Sequence, residues 1–475
     1  MTESSSSPCE NELNEIRRLL WGPYVKDEVF KRWAQGFQFS EDEPTALVQW
    51  EGGPCAVIAP VQAFILKILL SGNIGNKWRQ VSTEDSLRLL IKALCEILSQ
   101  AQSRPPSRGF SLVHVPSDHQ VTELSDVPRL NGGDDAEKNV DMEGGEGSSS
   151  KPSETSTSEI INKLIDESGA KRQKLEHQHF HSLLRVTTVN TIEEVEDFFQ
   201  ERIDMLQETF GVLLLLYSVL MTKGCDLVKV EMSDGSEALI DGTYGYGSQS
   251  LINLMLTGRA VGHVWDHDQD AGGLKLRGID SQSEIGFLAL LEHLRYCEVG
   301  SFFKNPKNPV WVMGSDTHLT VLFSQERKLV SPETPSETAR RVFKSFDPEG
   351  NNFISSVLLQ DVLTALDLVS DPEYVDIMRK KLDSENLGII LLTSFMEEFF
   401  PEEKRSMPDV FTLYHYNGLA RSSPSGKVEY WEGNAVLLEC DVSCILESNS
   451  MLTCLQTKWP SIEVQWKGGL TPSLN

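Results

Sequence analysis

Gln49-Trp50-Glu51-Gly52-Gly53-Pro54-Cys55-Ala56-Val57-Ile58-Ala59-Pro60 decides how the rest of the chain is read. A Gly-Gly-Pro turn delivers a thiol to a strongly apolar segment, which predicts a helix over Val57 to Leu70. Pro60 is tolerated in a helix only near its first turn, so the helix must begin close to Cys55. A helix start offers free backbone N–H groups and the positive end of the peptide dipole, and both favour a thiolate. Gln49 precedes Cys55 by six residues, close enough to turn its amide toward the same point. These are the parts of a cysteine nucleophile with an oxyanion hole. The plainer reading, an apolar cysteine packed at a helix start, stays open on these residues alone.

The chain around this motif has 475 residues, 40% of them hydrophobic, ample for a buried core and more than one domain. Its net charge of −27 argues against nucleic acid as a partner and suits a basic surface. Eight cysteines without regular spacing predict a reduced, intracellular protein rather than a disulfide framework. Met1 to Asn11 is Ser-rich and acidic, with no apolar core of a signal peptide. The most apolar run, Phe210 to Met221, is too short to span a bilayer and reads as a buried helix, so no membrane partner is expected.

Glu10 to Ser99 reads as mostly helical and Gly109 to Val115 as a short strand. From Pro116 to Thr157, Asp, Glu, Gly and Ser replace apolar periodicity, as in a disordered insert. Lys171-Arg172-Gln173-Lys174 reads either as part of a nuclear import signal or as a solvated helix end, leaving nucleus and cytoplasm as expected locations. Helices are predicted over Thr191 to Gln207, Phe210 to Thr222 and Glu284 to Tyr296. Tyr244-Gly245-Tyr246-Gly247-Ser248-Gln249-Ser250 superficially resembles a phosphate loop but lacks its lysine, so a turn entering a helix is preferred. Pro309 to Met313 and His318 to Phe323, joined by Gly314-Ser315-Asp316-Thr317, predict a β-hairpin.

Ser336 to Phe400 carries two helix–loop–helix patterns, with loops opening at Asp347 and Asp383 and an Ile at loop position eight in both. They resemble a pair of EF-hands. The first loop offers Asp347, Glu349, Asn351 and Ser355, but has Leu358 at position twelve and Asn352 where Gly is expected. The second has Asp383, Glu385 and Gly388, but Leu387, Leu391 and Ser394 at positions five, nine and twelve. Without the bidentate carboxylate at position twelve the pair reads as a structural or docking unit, and no metal or other cofactor is expected.

A thiolate nucleophile needs a base that takes its proton and returns it to the leaving group. The alternating His177, His179 and His181 would be spread over different helix faces, which disfavours a metal site. His263 and His267 sit in a polar turn; His114 and His293 lie in apolar patterns; His415 belongs to a strand. His318 differs, because it opens a strand directly after a polar turn, at the mouth of a rigid hairpin. A strand-edge histidine without a role is the alternative.

The Gln49–Pro60 stretch, together with Gly314-Ser315-Asp316-Thr317-His318-Leu319-Thr320-Val321, resembles the MINDY family of cysteine deubiquitinases. Tyr244 to Leu254 with Val264-Trp265-Asp266 is also similar to that family, and the three motifs occur in family order. The EF-hand-like insert and the ending Cys454-Leu455-Gln456-Thr457-Lys458-Trp459-Pro460 point to the branch that carries such an insert. The resemblance implies an α+β fold, a papain-like cysteine peptidase core with a helical EF-hand-like insertion. It implies a catalytic domain whose N-terminal half spans 10–115, an acidic insert over 116–170, a second half over 171–335, the helix pair over 336–402 and a β-rich remainder over 403–475. It also implies hydrolysis of isopeptide bonds in polyubiquitin of the proteasome-targeting lysine linkage, with polyubiquitin and ubiquitinated proteins as partners. Cys55 matches the nucleophile, His318 the general base and acid, and Gln49 the oxyanion-hole side chain. The family's histidine-orienting group is not identifiable in this sequence, and its ubiquitin-interacting helix is not evident in the C-terminal part. A catalytically inactive ubiquitin- or partner-binding protein with a docking module, and a calcium-regulated adaptor, are the competing readings.

Overall fold

The computed structural model describes residues 8–72, 77–102, 109–116, 177–332, 334–347, 350–402, 406–438 and 449–475. The acidic insert beyond Pro116, the Lys171–Lys174 cluster, Glu349, Cys440 and Cys444 lie outside the described residues.

A six-stranded sheet organises the molecule, in the order Ile462–Trp466, Tyr430–Leu437, Val410–Tyr416, Leu319–Phe323, Val310–Gly314, Gly286–Ala289. Every pairing is antiparallel except Gly286–Ala289 on Val310–Gly314, which is parallel. All residues of Val310–Gly314 and Leu319–Phe323 are buried, as their continuous apolar sequence requires of strands covered on both faces. On one face, Val310, Val312, Val321, Phe323, Tyr414 and Tyr416 join the main core with the helix Cys55–Ser71. On the other face, Trp311, Met313, Leu322 and Leu413 pack against Met451, Cys454 and Leu455 of the helix Ser450–Gln456. The sheet is thus a central layer, and Leu319–Phe323 of the predicted hairpin is one of its two middle strands.

The helix Gly211–Lys223 is buried along its whole length, which is why its sequence is apolar on all sides. Among the described residues no single helix is long and apolar enough to cross a membrane. Phe110–His114 is a strand paired antiparallel with Arg185–Val189. The expected helix over Thr191 to Gln207 is two, Ile192–Glu201 and Ile203–Gln207, broken at Arg202. The expected helix over Glu284 to Tyr296 is corrected: Gly286–Ala289 is the parallel edge strand, and only Leu290–His293 is helical. A short apolar run buried on both faces carries no period that separates strand from helix.

Between the strands Leu319–Phe323 and Val410–Tyr416 the chain forms the helices Pro335–Ser345, Leu359–Ala365, Pro372–Leu382 and Leu392–Phe399, with a core of their own. The two loops of this unit pair through Phe353–Ser355 and Ile389–Leu391, with Ile354 opposite Ile390. Each loop is closed by its leading aspartate. Asp347 accepts from the N–H groups of Asn351 (3.1 Å) and Asn352 (2.6 Å). Asp383 accepts from those of Leu387 (2.7 Å) and Gly388 (2.8 Å). Asn352 takes the left-handed conformation that Gly388 takes in the second loop, which asparagine tolerates. Among the described residues no cluster of three or more His, Cys, Asp or Glu is placed to hold a metal ion.

Candidate active site

Cys55 is the first residue of its helix, and the Pro54 carbonyl accepts from Val57 and Ile58 at 2.9 Å, closing the first turn. The tight approach depends on Gly53, whose φ of +136° an L side chain rarely adopts. Behind the cysteine lies the glycine-rich Tyr244–Ser250 segment. Gly245 accepts from the Trp33 indole at 2.8 Å. A Cβ on Gly247 would stand 2.3 Å from the Cβ of Ala56. The segment is therefore a close-packed backing for the helix start, and Ser248 ends it by capping the helix Gln249–Thr257. The Trp265–Asp266 motif is structural too. The Asp266 carboxylate accepts from the Ser301 N–H and hydroxyl and from the Phe302 N–H, at 2.7–3.0 Å.

Gln49 follows the short strand Leu47–Val48 and is buried. Its backbone N–H donates to Gly418 (2.8 Å), and one side-chain N–H donates to the Glu51 carbonyl (2.8 Å). A carboxamide has two N–H donors, so one is left for another acceptor. Two further glutamines hold this segment. Gln35 accepts from the Trp50 N–H (2.9 Å) and donates to the Glu51 carbonyl (3.1 Å). Gln62, two turns along the Cys55 helix, accepts from the Leu47 N–H (2.7 Å) and donates to the Thr45 carbonyl (2.9 Å) and the Tyr430 hydroxyl (3.1 Å). Helix, Gln49 segment and sheet are tied through one buried amide whose polar atoms all find partners.

His318 lies at the mouth of the hairpin, just ahead of the strand Leu319–Phe323, and is buried. Its backbone N–H donates to the Ser315 hydroxyl (3.1 Å), which fixes the turn. Its Nε2 donates to the Oδ1 of Asn417 at 3.0 Å. Asn417 follows the antiparallel neighbouring strand Val410–Tyr416, so the end of one strand meets the start of the other. Sequence reasoning missed Asn417; its one signal is a polar residue closing the apolar run Leu413-Tyr414-His415-Tyr416.

The structure thus sets the Cys55 helix start beside the Leu319 N–H, next in the chain to His318, where the ends of the two middle strands carry the Asn417–His318 pair. Burial pushes the Cys55 thiol up to about 11, although the N–H groups of Leu319, Ala56 and Cys55 oppose this by favouring the thiolate. Burial pulls the His318 imidazole down to about 4, against the Asn417 hydrogen bond that favours its protonated form and with the Arg421 guanidinium lowering it further. At neutral pH the proton therefore sits on sulfur and the imidazole is neutral. The opening beside His318 is lined by Glu51, Tyr246, Thr317, Leu419, Arg421 and Asn475. His415 is fully buried against Trp466, close enough to His318 for that imidazole to lower it beyond the effect of burial, and His177 is buried edge-on to Trp21 and Phe30.

Residues 17–344 match the family model described as "Deubiquitinating enzyme MINDY-3/4, conserved domain". The chain is 54% identical to the ubiquitin carboxyl-terminal hydrolase MINDY-3 homolog of Drosophila melanogaster, over 98% of this chain and 83% of that protein. It is 47% identical to ubiquitin carboxyl-terminal hydrolase MINDY-3 of Homo sapiens, over 97% of this chain and 99% of that protein. The probable ubiquitin carboxyl-terminal hydrolase MINDY-4 of Xenopus tropicalis is 30% identical, over 67% of this chain and 37% of that protein. No solved structure matches the chain.

Proposed function

The chain belongs to the MINDY-3/4 family of deubiquitinating enzymes and is a thiol-dependent ubiquitin carboxyl-terminal hydrolase, and from that premise we propose how it acts: Cys55 is the nucleophile, His318 the general base and acid, Asn417 the group that orients His318, and Gln49 the oxyanion donor. The observation that carries this reading is the Asn417–His318 hydrogen bond at the start of the strand whose Leu319 N–H faces the Cys55 sulfur. With Nε2 committed to Asn417, Nδ1 is the nitrogen available for proton exchange.

In the reaction so read, His318 takes the proton of Cys55, and the sulfur attacks the carbonyl carbon at the C-terminus of ubiquitin. The carbonyl electrons move to oxygen, where the free Gln49 N–H and the Cys55 N–H receive them, each donor contributing roughly 3–4 kcal/mol. Collapse breaks the C–N bond, and the departing lysine amine takes the proton from His318. Water, deprotonated by His318, then attacks the thioester and releases the sulfur. At rest the proton is held on a buried thiol, so the thiolate forms only once substrate has rearranged the site.

The finer reading is a papain-like core, an EF-hand-like pair over Ser336 to Phe400 that serves as structure or docking module, and polyubiquitin of the proteasome-targeting linkage as substrate. The Gln–Cys–His–Asn order and the hydrogen-bonded imidazole support the first. The Ile354–Ile390 pairing and the matched aspartate-closed loops support the second. The third rests on the family resemblance.

A ubiquitin probe with a C-terminal electrophile tests the site. An adduct is expected on Cys55 and is lost in Cys55→Ala. His318→Ala should abolish turnover of tetra-ubiquitin while ubiquitin still binds; surviving turnover would show that another group is the base. Cleavage of all lysine linkages at equal rates would remove the linkage reading and leave the chemistry intact.

A further inference from the structure

Residues Pro472 to Asn475 run past the candidate site, with Pro472 and Leu474 buried and Ser473 and Asn475 exposed. Leu474 is 4% exposed and belongs to the second core, against the back of the sheet. From that anchor the segment makes polar contacts with groups that hold His318. The Ser473 carbonyl accepts from the Asn417 Nδ2 at 3.1 Å. The Asn475 Oδ1 accepts from the Ser315 and Thr317 hydroxyls of the turn that precedes His318. The Asn475 carbonyl accepts from the Ser422 hydroxyl at 2.6 Å.

The contact at Ser473 decides a chemical question. A carboxamide can present either end to a neighbour, but a carbonyl can only accept a hydrogen bond. The Ser473 carbonyl therefore requires the nitrogen end of Asn417, which turns the oxygen end toward His318. The Leu419 N–H, a donor only, meets that same oxygen at 3.0 Å and agrees with the assignment. An oxygen facing His318 Nε2 demands a proton there, so the basic nitrogen is Nδ1. The tautomer of the imidazole is thus set two hydrogen bonds away, by the Ser473 carbonyl on one end of Asn417 together with the Leu419 N–H on the other.

We propose that Pro472–Asn475 is a positioning strap for the catalytic imidazole, acting through Asn417 and through the Ser315–Thr317 turn. The proposal rests on the reading of His318 as the base. None of the strap residues reacts; they hold the groups that hold His318.

The test compares the parent protein with a variant lacking residues 472–475, with Leu474→Ile as the conservative replacement and with Asn475→Ala. Removing the strap should lower kcat on tetra-ubiquitin by roughly ten- to a hundredfold, the scale of a small misplacement of a reacting group. KM should stay within about twofold, because the strap touches the imidazole's holders. The acid limb of the kcat profile should move to lower pH, because a loosened Asn417 no longer favours the imidazolium and the neutral base persists further down. Leu474→Ile should keep parental kcat, and Asn475→Ala should lose part of it. A deletion variant that unfolds like the parent yet keeps its kcat and pH limb overturns the proposal. A change confined to KM also overturns it, since the segment would then be only a wall of the groove. If the deletion fails to fold, an unchanged kcat in Asn475→Ala overturns it. His318→Ala, measured beside these, separates the two readings: if it retains turnover the base assignment fails, and if it is dead while the strap variants are normal only the strap fails.

Discussion

At Cys55 two opposing effects meet on one sulfur. The helix start and three backbone N–H groups favour the thiolate, as the Gly-Gly-Pro-Cys turn leads one to expect. Burial opposes them and wins, holding the thiol at about 11. A small alkylating agent should therefore react slowly with Cys55 at neutral pH, and its rate should climb until the pH approaches about 11. Tryptic mapping of the alkylated peptide reads this directly. A rate that levels off near pH 7 would mean that the free protein already holds a thiolate. The helix start at Cys55 and the strand start at His318 were legible in the sequence because turn chemistry places each: a glycine pair before a helix, a polar turn before a strand. Asn417 was not legible. Its meeting with His318 requires two strands to be sheet neighbours although the whole Ser336–Phe400 unit lies between them in the chain, and no local pattern encodes that pairing.

At the scale of elements, the glycine-rich segment shows how packing can imitate a ligand-binding motif. Its glycines serve the approach of one backbone to another, and Gly247 abuts Ala56, the neighbour of the cysteine. Gly247→Val should push the helix start out of register. The expected result is a loss of adduct formation with the ubiquitin electrophile that exceeds the loss of stability, measured by comparing labelling rate with the unfolding midpoint. Equal labelling in a folded variant would mean that the contact can relax. The helix pair carries the opposite lesson, since its repeat was readable from the spacing of two aspartates and two isoleucines, and Ile354 and Ile390 do pair. Leu358 and Ser394 occupy the positions where a calcium loop places its bidentate glutamate, so titrating Ca²⁺ into the protein should give no binding heat at micromolar concentration. Micromolar affinity would assign the unit a regulatory ion. Gly286–Ala289 was misread as helix for a physical reason: four apolar residues buried on both faces of a layer show no period, and only their place beside Val310–Gly314 makes them a strand.

For the whole molecule, buried titratable groups bound the pH range of stability from both sides. His177 and His318 are held down to about 4 and His415 to about 3, chiefly by burial, against an ordinary value of 6.5. Below pH 6.5 the unfolded chain takes up protons that the folded chain refuses, so stability falls as pH drops from 6.5 toward 4. Cys55 is raised to about 11, and Cys95, Cys225 and Cys454 to about 12, from an ordinary 9.0. Above pH 9 the unfolded chain loses protons that the folded chain keeps, so the stability present below that point is lost as pH rises toward 11 and 12. Each such group contributes a slope of up to about 1.4 kcal/mol per pH unit in its window. The chain's negative charge of −27 pulls the other way on the acid side, because protonating carboxylates relieves their repulsion. Salt separates the two effects: repulsion between exposed charges fades beyond about 8 Å at physiological ionic strength, whereas burial of an imidazole is indifferent to it. The urea midpoint measured in salt should therefore show a plateau between pH 6.5 and 9 with a decline on both sides. A maximum near the isoelectric point of 4.8 instead would mean that surface repulsion, and not the buried histidines, governs the acid limb.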